Sequence, residues 1–413
     1  MQDETGGSNE VATDPRTGGQ RVTNLELFLD LVFVFAITQV TGFLAADPTF
    51  NGLLHGMLLL AVLWWAWGAY AWLTNTLNPE EGGVRLVVFC AIGAMLVVSL
   101  AAPDAFGRDG LTFGIAYFVV RALHLALYTL AGRGDKELLR AVVRTTPSAV
   151  LGPAVLVMAA FFGGTAQVLL WAAALVIDYG GVLIGGMRDW RVSPEHFIER
   201  HGLVVIIALG ESIVAIGVGA AGLPLDVGVV RAALLGMVVI AALWWSYFDW
   251  VIFVAQSRLT ELTGAQRAIL ARDLYSYLHL PMIAGIVLFA LGLRTTLHDD
   301  LHALPTIPAI GLCGGLALYM AAHVAGRLRM GGGLGHGRPV ATVVLAGIIP
   351  VVLIVPALAA LALVALACAG LIAYEALRYR GARRWIRERR GAFTTEEARR
   401  GGSMGPGAGV PPP

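Results

Sequence analysis

Twelve apolar stretches, each close to the length needed to cross a bilayer, follow one another along the chain. They occupy roughly 24–45, 52–73, 84–102, 111–131, 142–162, 165–187, 202–222, 228–255, 272–294, 307–327, 339–357 and 359–379. A helix of about 20 apolar residues spans the hydrocarbon core, and only helices or closed barrels satisfy their backbone groups there. Such a chain has few ways to fold. Only 14% of its 413 residues are charged, with 57% hydrophobic and a mean hydropathy of +0.73. A soluble domain keeps about a quarter of its residues charged. The expectation is an all-α integral membrane protein with the lipid bilayer as its first partner. The weakest boundary falls in 339–379, one apolar run interrupted by Pro350 and Pro356. It fits either two short spans with a tight turn or one span and a re-entrant piece.

The basic residues give a separate test of the count. If residues 1–20 lie inside, the inner segments carry 25 of the 29 Lys and Arg, including Arg16, Arg85, Lys136, Arg200, Arg272 and Arg338. The outer segments carry Arg108, Arg231 and Arg294, and Arg121 falls within a span. This asymmetry is what the positive-inside rule demands of twelve spans with both ends cytoplasmic. Residues 1–20 lack the order of a signal peptide, and 381–413, basic and then Gly/Pro-rich, reads as a disordered tail. Cys90, Cys313 and Cys368 lie apart in apolar segments, so neither a disulfide framework nor a cysteine metal site is expected.

The chain also repeats itself. "GMLLLAVLWWAWGAY" from Gly56 matches "GMVVIAALWWSYFDW" from Gly236, with Gly-Met and Trp-Trp in register. Asp30 aligns with Glu211, Arg85 with Arg272 and, more loosely, His124 with His323 and Asp178 with Glu375. The chain thus reads as two parallel six-helix repeats, 21–190 and 191–380, related by an axis along the membrane normal.

Each half opens with an apolar helix that carries an acid. Glu26, Asp30, Ile37 and Thr41 share one face of the first, and Glu211 sits near the middle of the seventh. An ionised acid there costs about 2.5 kcal/mol or more on insertion scales, so it must face a partner or water. The intramembrane acids singled out are Asp30, Glu211, Glu26 and Asp178, with Glu26 also suited to capping its helix. The basic partners expected for them are Arg121, His124, Arg85 and Arg272, with Arg121 or His124 neutralising Asp30. Structural ion pairing and a polar pathway for an ion, proton or small solute are both open for these groups.

Other features weigh less. The tryptophans Trp64, Trp65, Trp67, Trp244, Trp245 and Trp250 read mainly as interhelical packing. "HDDLH" (298–302) has donor types but no third ordered ligand, so no metal site is expected. "PEHFIERHG" (194–202) reads as an amphipathic inner-surface helix with solvated charges. No phosphate-binding loop or nucleophile elbow is present, so no cofactor, no nucleic acid and no enzymatic activity are expected.

"ELFLDLVFVFAITQV" (Glu26–Val40) and "ERHGLVVIIALGESIVAIG" (Glu199–Gly217) resemble the two signature segments of the bacterial low temperature requirement protein A family. The resemblance implies a multispan protein of the bacterial cytoplasmic membrane, linked by name to growth in the cold. It points to Glu26, Phe28 and Asp30, and to Glu199, Arg200, Gly210, Glu211 and Ser212. "FLDLVFVFAIT" is also similar to the first-helix signature of a potassium-channel family built from two six-helix repeats, with Leu29 in place of that family's serine. The function expected is an ion- or proton-coupled transporter or channel. The alternative is a non-transporting scaffold or sensor in low-temperature adaptation. A second copy of the chain is left open as a partner.

Overall fold

The computed structural model describes residues 22–378 apart from 250. The disordered segments expected at 1–20 and 381–413 lie outside the described residues. Those described form helices α1 (Asn24–Ala46), α2 (Phe50–Thr74), α3 (Gly82–Ala101), α4 (Gly110–Ala131), α5 (Lys136–Ala159) and α6 (Gly164–Gly185). They continue as α7 (Pro194–Gly219), α8 (Val227–Phe248), α9 (Val251–Glu261), α10 (Gly264–Ala271), α11 (His279–His298) and α12 (Thr306–Arg329). The last are α13 (Gly337–Gly347), α14 (Ile349–Val352) and α15 (Ala357–Arg378). Eleven spans among the described residues are long and apolar enough to cross a membrane, two of them formed by α8 with α9 and by α10 with α11.

The twelfth expected stretch is the shorter pair α13–α14. Pro350 has no N–H and its ring disfavours the preceding helical turn, so the helix breaks at Ile348. The pair covers 337–352, about 24 Å at 1.5 Å per residue, less than the roughly 30 Å of hydrocarbon. It lies antiparallel along α15, with Gly337 against Tyr374. The first residues of α15 find partners in the loop between α11 and α12. Ala357 N–H donates to the His302 carbonyl at 2.8 Å and Leu358 N–H to that of Asp300 at 3.1 Å.

Burial separates the hub from the rim. In the apolar window of 264–298, 78% of residues are buried within the protein, against 17% in α6. Leu169, Val176 and Ile184 of α6 face outward, Ile184 at 90% exposure, as lipid-facing side chains do. The hub packs closely because small residues line its contact with α12. A Cβ at Gly315 would stand 2.6 Å from the Gly285 carbonyl oxygen, and one at Gly311 2.6 Å from that of Leu288. Apolar helices in lipid gain little from burying apolar surface against each other, so close approach at small residues supplies the attraction.

A π-helical turn, Arg272–Tyr277, leads into α11. Its displaced ladder frees groups for other helices. Trp64 Nε1 donates to the Ser276 carbonyl at 2.8 Å and Trp72 Nε1 to Ser276 Oγ at 2.9 Å. Tyr277 O–H donates to the Tyr179 carbonyl at 2.7 Å. These bonds tie α2 and α6 to the hub, giving Trp64 the packing role expected of it.

Candidate functional site

The seam between α1 and α7 holds the densest buried charge. α1 begins at a capping box: Glu26 N–H donates to Thr23 Oγ1, and Thr23 N–H donates back to Glu26 Oε2 at 2.8 Å. α7 begins at Pro194 after Ser193, eight residues before the expected start of the seventh span. That extra length brings "PEHFIERHG" inside. The expectation of solvated charges holds for exposed Glu195 and Glu199 and fails for Arg200, which is buried with His196 and His201. The two helices run parallel, residues near 22–38 of one meeting 196–211 of the other.

Arg200, with no exposed surface, bridges both acids of α1. Its Nη1 lies 3.3 Å from Glu26 Oε1 and its Nη2 donates to Asp30 Oδ1 at 2.9 Å. Trp67 Nε1 donates to the same Asp30 oxygen at 2.9 Å, and the guanidinium lies 6.0 Å from the Trp67 ring centre. His196 Nε2 stands 3.1 and 3.2 Å from the two oxygens of Glu26. An ionised carboxylate only accepts, so that nitrogen carries the proton. The cluster is not fully satisfied: Asp30 Oδ2, Arg200 Nε and His196 Nδ1 have no hydrogen-bond partner among the described residues. Its charge balance depends on one ring. Two carboxylates face one guanidinium and one imidazole, so the cluster is neutral with His196 protonated and negative by one unit without.

Farther along the same seam stands Glu211. Asp30 and Thr38 are eight residues apart on α1, about 12 Å along the axis. Thr38 Oγ1 donates to Glu211 Oε2 at 2.5 Å, and also lies 3.2 Å from the Val34 carbonyl. A single hydroxyl proton serves only one of these acceptors at a time. Among the described residues, no basic side chain lies within 4 Å of the Glu211 carboxylate. Glu211 is 2% exposed, and the buried Ser212 Oγ beside it has no hydrogen-bond partner among the described residues. Buried Phe33, Ile37, Val204 and Ala208 occupy the stretch between the two polar stations.

The expected pairing of Asp30 with Arg121 or His124 is corrected. Arg121 of α4 bonds Asp178 of α6 at 3.2 Å, with Tyr117 O–H 3.4 Å from the other carboxylate oxygen. His124 Nε2 meets the Ala69 carbonyl at 3.1 Å. Both groups sit on the far side of α2 from Asp30, so tertiary geometry outweighs the matching of opposite charges by sequence. Arg85 is exposed and donates to the Glu80 carbonyl at 2.7 Å. Arg272 pairs with its neighbour Asp273 at 2.7 Å. Neither reaches an acid of the seam. Glu375 pairs with Arg338 at 2.8 Å. Outside the spans, His302 donates to Asp299 at 2.9 Å and holds that exposed carboxyl below its usual range.

Composition and periodicity missed His196 as a partner, and Arg200 stood among solvated charges. A signal was present. Ser193–Pro194 is a helix-start pair, and His196, Arg200, Val204, Ala208 and Glu211 then follow at helical spacing on one face. Trp67 and Thr38 carried no comparable mark.

Comparison with known proteins agrees with the resemblance of the two segments that meet at this seam. An uncharacterized protein of Rhizobium meliloti (strain 1021) is 30% identical over 307 residues, covering 72% of this chain and 74% of that protein. No solved structure matches. The profile of the bacterial low temperature requirement A proteins matches residues 21–373, which takes in both signature segments and nearly every described helix. This multi-pass membrane chain belongs to the bacterial low temperature requirement A (LtrA) family.

Proposed function

We propose that the chain is a proton-coupled membrane transporter whose proton path runs along the α1–α7 seam. The observation that carries this reading is the charge imbalance there. Two buried acids share one arginine and one histidine, and a third acid bonds a hydroxyl, with Arg294 in electrostatic reach but no basic group within 4 Å among the described residues. Ionisable groups buried at membrane depth are expensive and usually serve a pathway. A proton suits these stations better than a hydrated ion, because uptake of one proton neutralises the lower cluster without opening space for water. Apolar side chains between the stations then separate two loading sites.

The reading includes an internal repeat. α1 packs on α2 and α3 as α7 packs on α8 and α11, and α2 packs on α6 as α8 packs on α15. The same order of neighbours in each half supports two parallel six-helix repeats, with α1 and α7 as equivalent helices across the axis. The distribution of basic residues supports both termini being cytoplasmic in the bacterial inner membrane.

A scaffold or sensor without transport is the second reading. The balanced pairs Arg121–Asp178 and Arg338–Glu375 favour it, since paired charges need no mobile partner. Proton uptake into proteoliposomes under an imposed gradient separates the two. Transport predicts flux in the native protein and its loss in Glu211→Gln. Absence of flux in the native protein under gradients of either sign contradicts it.

A further inference from the structure

The second half encloses a cavity of about 450 Å³ among α8, α9, α11, α12, α13 and α15. The first half holds one of about 80 Å³, crowded by Trp64, Trp65 and Trp72. Each is lined by a buried histidine, His124 in the small one and His323 in the large one. His124 Nε2 meets the Ala69 carbonyl, leaving Nδ1 alone without a partner among the described residues. His323 is 3% exposed, and neither ring nitrogen has a hydrogen-bond partner among the described residues. Unsatisfied buried polar atoms are rare and call for an explanation. A ring with two idle nitrogens on the wall of a roomy cavity points to a missing occupant.

The polar groups around it say what that occupant is. Arg338 is held by Glu375 Oε1 at 2.8 Å and by the Ser246 carbonyl at 2.9 Å, and its Nη1 has no partner among the described residues. Its charge is within electrostatic reach of the His323 ring. Toward the mouth, exposed Arg327 makes no ion pair among the described residues, and Arg258 joins it on the lining. Arg258 is paired with Glu261 at 2.9 Å and Arg338 with Glu375 at 2.8 Å, which leaves Arg327 as the guanidinium of the lining without an ion pair among the described residues. The remaining wall includes Ile252, Leu274 and Met282. Pockets of 300–1,000 Å³ with apolar walls and a few converging polar groups are typical of small-ligand sites.

We propose that this cavity binds an organic anion with a compact apolar body, its carboxylate or phosphate held by His323 and Arg338 and drawn in by Arg327. The site is separate from the α1–α7 seam and is tested at equilibrium without a gradient, so its failure and that of the transport reading are distinguishable.

Calorimetric titration of the full chain in neutral detergent, with benzoate as probe and benzyl alcohol as its uncharged counterpart, is the test. The native protein is expected to bind benzoate saturably and at least tenfold more tightly than the alcohol. His323→Phe, which keeps a ring of similar size without its nitrogens, is expected to weaken benzoate at least tenfold. Arg327→Gln alters an exposed side chain and so leaves folding intact; it is expected to weaken benzoate several-fold at low salt and less at high salt. Repeating the titration in phosphatidylcholine nanodiscs with and without phosphatidylglycerol identifies the source of the anion. Benzoate binding lost only with phosphatidylglycerol assigns the site to a lipid headgroup, and binding retained in both assigns it to a soluble anion. No saturable benzoate binding in detergent, equal affinity for the alcohol, or affinity unchanged by Arg327→Gln at low salt overturns the proposal.

Discussion

Two buried charge groups in this protein look alike in sequence and differ in balance. Between α4 and α6, Arg121 and Asp178 form a closed pair, one charge against one, with Tyr117 alongside. Between α1 and α7, Glu26 and Asp30 share Arg200 with His196, and Glu211 stands apart on two-helix contact with Thr38. The first arrangement leaves nothing to exchange. The second is neutral only with His196 protonated. An arginine and an acid within apolar helices are thus not a functional signature by themselves.

The largest expected effect comes from breaking the closed pair on one side. Asp178→Asn leaves the buried Arg121 uncompensated and should destabilise the protein by about 3–5 kcal/mol, read as a lowered unfolding midpoint in detergent. Replacing both partners at once, Arg121→Met with Asp178→Leu, should restore stability to within about 1 kcal/mol of native or better. A double variant as unstable as the single one would show that the pair does more than cancel itself.

At the seam the prediction runs the other way. Asp30→Asn keeps an oxygen for Trp67 and Arg200 while leaving Glu26 and Arg200 one against one, so the cost should stay near about 1 kcal/mol. A loss as large as that of Asp178→Asn would remove the distinction between the two regions. The smallest effect belongs to the exposed Asp299–His302 pair. The histidine holds that carboxyl below its ordinary range, so any stabilisation is present above the usual carboxylate pKa and fades as pH falls through the lowered one. Asp299→Asn should leave the unfolding midpoint at neutral pH unchanged, and a clear shift there would mean the loop does more than join helices.

Much of the fold was legible because lipid leaves so few choices. The length of each apolar run located the spans, and the acids of α1 and α7 indeed lie on helices that touch. Three things were hidden. The helix start at Pro194 lay among charged residues that hydropathy assigns to solvent, although Ser193–Pro194 marked it. The partner of Asp30 depended on which helix lies behind α2, information that one-dimensional charge matching lacks. The break between α13 and α14 was visible as Pro350, but the lie of the pair along α15 was not. The cavity beside His323 left no sequence trace beyond a histidine aligned with His124, because a cavity is made by what its neighbours fail to fill.

The most direct test compares proton flux in proteoliposomes for Glu211→Gln and for the doubly neutral Arg121→Met/Asp178→Leu chain, each against the native protein. The account predicts flux abolished in the first and retained in the second. Flux retained without the Glu211 carboxylate, or abolished only when the closed pair is replaced, would contradict it.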